Sequence, residues 1–150
     1  MGHTFASVYI HVVFSTKDRM PLIAESWRRR LYEYMSGIAR EEFGRAIDIG
    51  GTANHVHGLL SIGTDLSIGG IMAKWKALSS GWVHKALPDG GAFGWQSGYG
   101  VFSVSRSNVD KVVQYIEGQE EHHKIRSFED EFLSLLKRHG IAYDPEHVWD

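Results

Sequence analysis

Cysteine is absent from the 150-residue chain, which excludes disulfides and thiolate metal sites and fits a reducing compartment. An excess of one charge is absent as well. Sixteen Lys and Arg stand against eighteen Asp and Glu, a formal net charge of -2, so bulk charge points to no polyanionic partner and any basic surface must be local. No apolar run approaches the roughly eighteen residues that would suggest a membrane span. The start MGHTFASVYIHVVF has neither a cationic leader region nor a small-residue cleavage site, and Ala6 stands where a myristoylation signal needs Ser or Thr. The expected address is therefore the cytoplasm, with no membrane partner. No internal repeat, low-complexity tract or linker interrupts the order, so 1–150 reads as one domain. Its 43% hydrophobic content is enough for a real core.

Residues 5 to 14 alternate, with Ala6, Val8, Ile10, Val12 and Phe14 on one side and Ser7, Tyr9, His11 and Val13 on the other, the pattern of a half-buried strand. From Glu25 to Phe43, apolar residues recur at three- and four-residue steps, which predicts an amphipathic helix. Two short strands follow, Ala46 to Gly51 with Ile47 and Ile49 in alternation, and His55 to Ile62. The turn-like GGTAN between them makes a hairpin the simplest account. Ser67 reads as the N-cap of a helix to about Ala86, whose stripe carries Ile68, Ile71, Trp75, Leu78 and Trp82. The Gly-dense PDGGAFGWQSGYG reads as a loop into a strand from Val101 to Ser105. Ser107 or Asn108 is expected to cap a third helix running to about His122. A fourth starts at the capping box of Ser127 and Asp130 and ends near Gly140, with Phe132, Leu135 and Leu136 inward. Strand, helix, two strands, helix, strand, then helices predicts an α+β, ferredoxin-like (RRM-like) antiparallel sheet, with helices on one face and a C-terminal catalytic helix.

In the strand HVHGLLSI the period of two sends Val56, Leu60 and Ile62 to the core and both His55 and His57 to the opposite face. Their Cα atoms stand about 6.7 Å apart by strand rise, so both rings can converge on one ion. Nine His in 150 positions give about half an H-x-H by chance, so the pair needs a partner before it counts. Alone it reads equally as two solvated histidines. The helix after Asn108 offers a partner. Val109, Val112, Val113 and Ile116 form its apolar stripe, and Lys111, Tyr115, Gln119 and His122 fall within roughly 80° on its flank. By itself that row reads more readily as an ordinary boundary Tyr with a solvated Gln-His-Lys edge.

Taken together, VYIHVVFSTKDR, NHVHGLL, KWKALSSGWV, WQSGYGVFSVSRSNVDKVVQYIEGQEEHH and FLSLLKRHGIAYDPEHVWD resemble the single-tyrosine HUH transposases of bacterial and archaeal insertion sequences over nearly the whole chain. The resemblance assigns His55 and His57 as the metal-binding histidines, Tyr115 as the nucleophile and Gln119 as the residue completing the metal site. Two departures stand out: Thr52, Ala53 and Asn54 replace the Met-Pro-Asp-like lead-in of many members, and Gly118 sits inside the catalytic helix. A mid-helix Gly costs about 1 kcal/mol relative to Ala, so bending is expected there.

The resemblance implies a metal-dependent transposase that cleaves and rejoins single-stranded DNA at hairpin-bearing ends through a covalent 5'-phosphotyrosine. It also implies a homodimer in which Tyr115 can act in trans. Two imidazoles and an amide oxygen are neutral ligands, so a bound ion keeps its full charge and attracts a phosphate oxygen. Mg²⁺ is expected in the cell, with Mn²⁺ as an effective substitute. No fourth ligand is evident. About 0.1% of a free tyrosine is ionised at pH 7, so Tyr115 needs activation, by the metal, Lys111 or His122. Candidate phosphate contacts are Lys17, Arg19, Arg28 to Arg30, Lys74, Lys76 and Arg106. Trp95 and Tyr99 are candidates for stacking on unpaired bases. His11, on the polar side of its strand, reads as a structural histidine. The competing readings are a domesticated relative that processes repeated palindromic elements and a catalytically idle, RRM-like nucleic-acid-binding module.

Overall fold

The computed structural model describes residues 2–87 and 90–150. Pro88 and Asp89, which open the Gly-dense loop read from the sequence, lie outside the described residues, as does Met1. The elements in chain order are β1 (Tyr9–Ser15), α1 (Glu25–Glu42), β2 (Gly44–Thr52), β3 (His55–Ile62), α2 (Ile68–Ala86), β4 (Gly100–Val104), α3 (Val109–Glu117), α4 (Gln119–His122) and α5 (Phe128–Arg138). The strands form one antiparallel sheet in the order β2-β3-β1-β4, which is the expected ferredoxin-like arrangement.

The first strand starts at Tyr9 instead of residue 5. Its register pairs Tyr9 with Ser61 and Val104, near the ends of both neighbouring strands, so the alternation of residues 5 to 8 has little partner left to pair with. Phe5 is accordingly exposed. In β2 the register shifts between Ala46 and Asp48, and this bulge overturns the simple alternation of Ile47 with Ile49. Ile49 packs on the α1–α2 side and Ile47 on the α3 side, because the extra residue reverses the side-chain phase.

Each sheet face is covered. On one, Ile10, Val12, Phe14, Val56 and Leu60 meet Leu31, Met35, Ile71 and Trp75 from α1 and α2. Trp75 is fully buried and donates its indole N–H to the Met35 carbonyl at 2.9 Å. It lies so close to β3 that a Cβ at Gly58 would stand 2.7 Å from its ring. Ser67 caps α2 as expected, accepting from the Gly70 amide. Leu78, read as part of the buried stripe, is exposed, while Trp82 is half-buried and stacks on Tyr34 beyond the sheet. On the opposite face lie α3, with Val109 and Ile116 over Leu59, and α5, with Phe128, Phe132, Leu135 and Leu136 over Val13 and Phe102. Ser127 caps α5 by accepting from the Asp130 amide. The histidines of β3 sit between these two apolar patches.

Candidate active site

His55 and His57 project from β3 to the face covered by α3, α4 and α5, and both are fully buried. The predicted long catalytic helix is broken at Gly118, whose φ of -87° and ψ of 9° separate α3 from α4. Tyr115 ends up on α3 and Gln119 on α4, and both still reach one point. That point is Glu131 of α5, a carboxylate with 1% of its surface exposed. The Tyr115 hydroxyl and the Gln119 side-chain amide both donate to its Oε2, the latter at 2.9 Å. Its Oε1 lies 2.8 Å from His57 Nε2, 3.2 Å from His123 Nε2 and 3.6 Å from His55 Nε2. His122 Nε2 approaches Oε2 at 3.5 Å.

Behind this layer His11 of β1 places its Nε2 2.8 Å from His57 Nδ1, and the two rings stack. His11 therefore fixes the orientation of His57. His55 is held by Asn54 Oδ1 at 2.9 Å from its Nδ1 and by the ring of Phe128 stacked at 4.6 Å. Thr52 Oγ1 also lies 3.1 Å from that Nδ1. The hairpin lead-in that departs from the usual motif thus has a positioning role of its own.

The electrostatics follow from burial. Desolvation, reinforced by His57, lowers both His11 and His55 to about 3, so both rings are neutral near pH 7. Burial also raises the Tyr115 phenol above its ordinary value, and the bond to Glu131 raises it further. For Glu131 burial acts upward, but the contacts from His123, His57 and Tyr115 outweigh it and hold the carboxyl below the usual range. One buried anion sits among several imidazoles.

The His55 ring has a polar neighbour at each nitrogen, Gln119 Oε1 2.8 Å from Nε2 and Asn54 Oδ1 and Thr52 Oγ1 beside Nδ1. His123 Nε2 is buried and has no hydrogen-bond partner. An unpartnered buried ring nitrogen is what a cation would satisfy, and donor atoms of His55, His57, His123 and Glu131 all lie within 4.8 Å of one another. These residues could hold a divalent metal.

The sequence reading missed Glu131 and His123, and a signal was available for the first. Phe128, Glu131, Phe132 and Leu135 share one helical face, so Glu131 is a charged residue on an apolar stripe. Of the other expected residues, Lys111 lines a cavity of about 420 Å³ beside Tyr115, together with His11, Asn108, Arg138 and His139. Arg19 and Arg28 line a second cavity of about 500 Å³ on the His123 side. Arg19 stacks on Trp149 and pairs with Glu129. Lys74 and Lys76 are on α2, which packs on the opposite face of the sheet. Lys74 pairs with Glu42, and Lys76 donates to the Gln96 and Gly98 carbonyls. Trp95 packs against Phe14 and Phe93 and donates to Ser79, whereas Tyr99, Lys17 and Arg106 are exposed.

The model of one family, described as transposase IS200 like, matches residues 4–119. The chain belongs to this family. The match spans β1 through Gln119 and stops before His123 and Glu131. Two solved structures share the fold. One is a protein from Deinococcus radiodurans R1 provisionally assigned as a transposase, 22% identical, covering 79% of this chain and 96% of its own with a TM-score of 0.59. The other is a REP-associated tyrosine transposase bound to a REP hairpin, 10% identical, covering 82% of this chain and 73% of its own, also with a TM-score of 0.59. No curated protein matches the chain. Among the described residues no helix is long and apolar enough to cross a membrane.

Proposed function

We propose that this family member is a metal-dependent single-strand DNA transposase that cleaves and rejoins hairpin-bearing ends through Tyr115. The observation that carries the reading is the convergence of Tyr115, Gln119 and His57 on one carboxylate. A divalent ion at His55, His57 and Gln119, Mg²⁺ or Mn²⁺, supplies Lewis-acid neutralisation of a phosphate oxygen when bound. Tyr115 Oη attacks phosphorus, so the Oη–P bond forms as the P–O3' bond breaks, leaving a 5'-phosphotyrosine and a 3'-oxyanion that takes a proton from water to become the 3'-hydroxyl. The phenolic proton passes to Glu131 Oε2, which already accepts it in a hydrogen bond. Because the phenol is held protonated by burial, its proton leaves together with the attack. A second 3'-hydroxyl reverses the step and rejoins strands without ATP, since the ester bond is conserved.

Lys111 and Arg138 line the cavity of about 420 Å³ beside Tyr115, a suitable place for the phosphate backbone of the entering strand. His122, beside Glu131, is a further proton carrier. Tyr115 stands beside the histidines of its own chain, which supports a cis site. The homodimer expected from the resemblance is then not needed to complete it. The idle RRM-like reading is disfavoured, because an RRM binds RNA on its sheet surface and here α3, α4 and α5 cover that face.

The test incubates the protein with Mn²⁺ or Mg²⁺ and labelled single-stranded hairpin oligonucleotides and looks for a denaturation-resistant protein–DNA adduct. Tyr115→Phe should reduce the adduct at least about a thousandfold, the scale of losing a nucleophile that acts with its supporting groups. His57→Ala should abolish it too. An adduct that survives Tyr115→Phe refutes the nucleophile. Oligonucleotides matching sequences that immediately flank the gene, compared with palindromes dispersed elsewhere, separate a mobile element from a domesticated relative.

A further inference from the structure

We infer that His123 and Glu131 are metal ligands alongside His55 and His57, and that the centre therefore selects a first-row transition ion over Mg²⁺. The inference deepens the reading above and rests on an ion working at this site. It is carried by residues beyond the segment that the family model matches, which ends at Gln119.

Three observations support it. The first is spacing. Neighbouring ligands around an ion with bonds of about 2.1 Å stand roughly 3 to 3.4 Å apart in octahedral or tetrahedral geometry. Glu131 Oε1 lies 2.8, 3.2 and 3.6 Å from the Nε2 atoms of His57, His123 and His55, within a few tenths of an ångström of those separations, and the four donors all lie within 4.8 Å of one another. The second is His123. Its side chain is 9% exposed, its Nε2 has no hydrogen-bond partner, and its ring meets that of His55 edge-on at 4.5 Å. An orphaned ring nitrogen so buried and aimed at a carboxylate is unexpected in a finished polar core and ordinary in a ligand. The third is the outer support. His11 lies behind His57 Nδ1, Asn54 behind His55 Nδ1, and Gln119 and Tyr115 on Glu131 Oε2. Three of the four ligands, His55, His57 and Glu131, thus have their other polar atom held, as metal ligands do.

Chemistry then decides the ion. Mg²⁺ demands oxygen ligands and keeps several waters, whereas imidazole suits the later metals. Three imidazoles and one carboxylate favour the series from Mn²⁺ to Zn²⁺. The single carboxylate also removes one unit of the ion's charge, which three neutral ligands would have left whole.

The full chain, freed of metal by chelation, is titrated with MnCl₂, ZnCl₂ and MgCl₂ by calorimetry, with thermal melting in parallel. Mn²⁺ and Zn²⁺ should each bind at least about tenfold more tightly than Mg²⁺, with one ion per chain. His123→Ala and the near-isosteric Glu131→Gln should each weaken Mn²⁺ at least about tenfold, on the scale of losing metal-site support. Pulsed EPR of the Mn²⁺ complex should count three coupled imidazole nitrogens in the parent and two in His123→Ala, which keeps the test sharp even if one variant folds poorly. Equal affinity for Mg²⁺, or two nitrogens in the parent, overturns the inference while leaving a metal-dependent transposase intact. Tight Mn²⁺ binding with three nitrogens and no DNA adduct does the reverse.

Discussion

The two faces of this sheet are buried about equally and for opposite purposes. Toward α1 and α2, β1 and β3 contribute Ile10, Val12, Phe14, Val56 and Leu60, all at most 4% exposed, and the layer closes on Trp75. Toward α3, α4 and α5, the alternate residues of the same strands include His11, His55 and His57, also buried, between Val13 under α5 and Leu59 under α3. Burying a polar group is costly unless it is partnered, so the second face can exist only because Glu131, Gln119, Asn54 and Tyr115 supply partners. One face stores stability. The other spends some of it to hold a reactive arrangement, and substitutions should separate the two.

The largest effect on folding should come from the apolar face. Trp75→Ala removes a fully buried indole and its bond to Met35 and should cost about 3–5 kcal/mol in urea unfolding, with the DNA adduct still forming at temperatures where the variant is folded. Glu131→Gln on the polar face should do the converse. Its shape is kept and its cost to folding is about 1–3 kcal/mol, that of weakening hydrogen bonds to a charged group, yet adduct formation should fall more than a hundredfold. If Glu131→Gln forms adduct at the parental rate, the polar face does not serve the chemistry in this way.

A pH titration sharpens the same contrast. His11 and His55 have folded values of about 3 against about 6.5 in the unfolded chain, so between these limits the unfolded state binds more protons. Stability is then fully present above pH 6.5 and drains as the pH falls toward 3, with each ring contributing up to about 1.4 kcal/mol per pH unit. Glu131, lowered in the fold, adds to the loss below about pH 4.3. In chelator, melting midpoints of the parent should drop steeply from pH 6.5 to 4.5. His11→Gln should flatten that slope, while Trp75→Ala should lower the whole curve with its slope unchanged. A slope that survives His11→Gln would falsify the assignment of that ring to the titration.

How much of each face could be read from the chain follows from what sets it. The apolar face comes from periodicity, and so the helices, the β2–β3 hairpin, the two helix caps and the burial of Trp75 were legible. The bulge at Ile47 was not, because a one-residue register shift depends on the partner strand. On the polar face, His55 and His57 were legible from the period of two, and Tyr115 with Gln119 from helical spacing and resemblance. Glu131 lies twelve residues beyond Gln119 in a separate helix, and only packing brings it back to β3. His123 lies outside the helical row of Tyr115, Gln119 and His122, so spacing gave it no signal. The assignment of Trp95 to base stacking missed that the loop folds back, with Thr16 bridging to Trp95, and tucks the indole against Phe14.

The smallest effect concerns the joint between α3 and α4. Gly118 adopts φ and ψ that an alanine tolerates, and an added Cβ would stand 3.3 Å from the Gln114 carbonyl, tight but adjustable. Helix propensity favours alanine by about 1 kcal/mol, offset by that contact, so Gly118→Ala should change stability by less than about 1 kcal/mol. Its effect on the site should be larger than its effect on the fold. A stiffer helix moves Gln119 relative to Tyr115, and the two must meet on the same carboxylate oxygen. The expected result is an unchanged unfolding midpoint with adduct formation reduced several-fold. Glycine here would then serve the geometry of the polar face and do nothing for the apolar one. Unchanged adduct kinetics would assign the bend to chain packing alone.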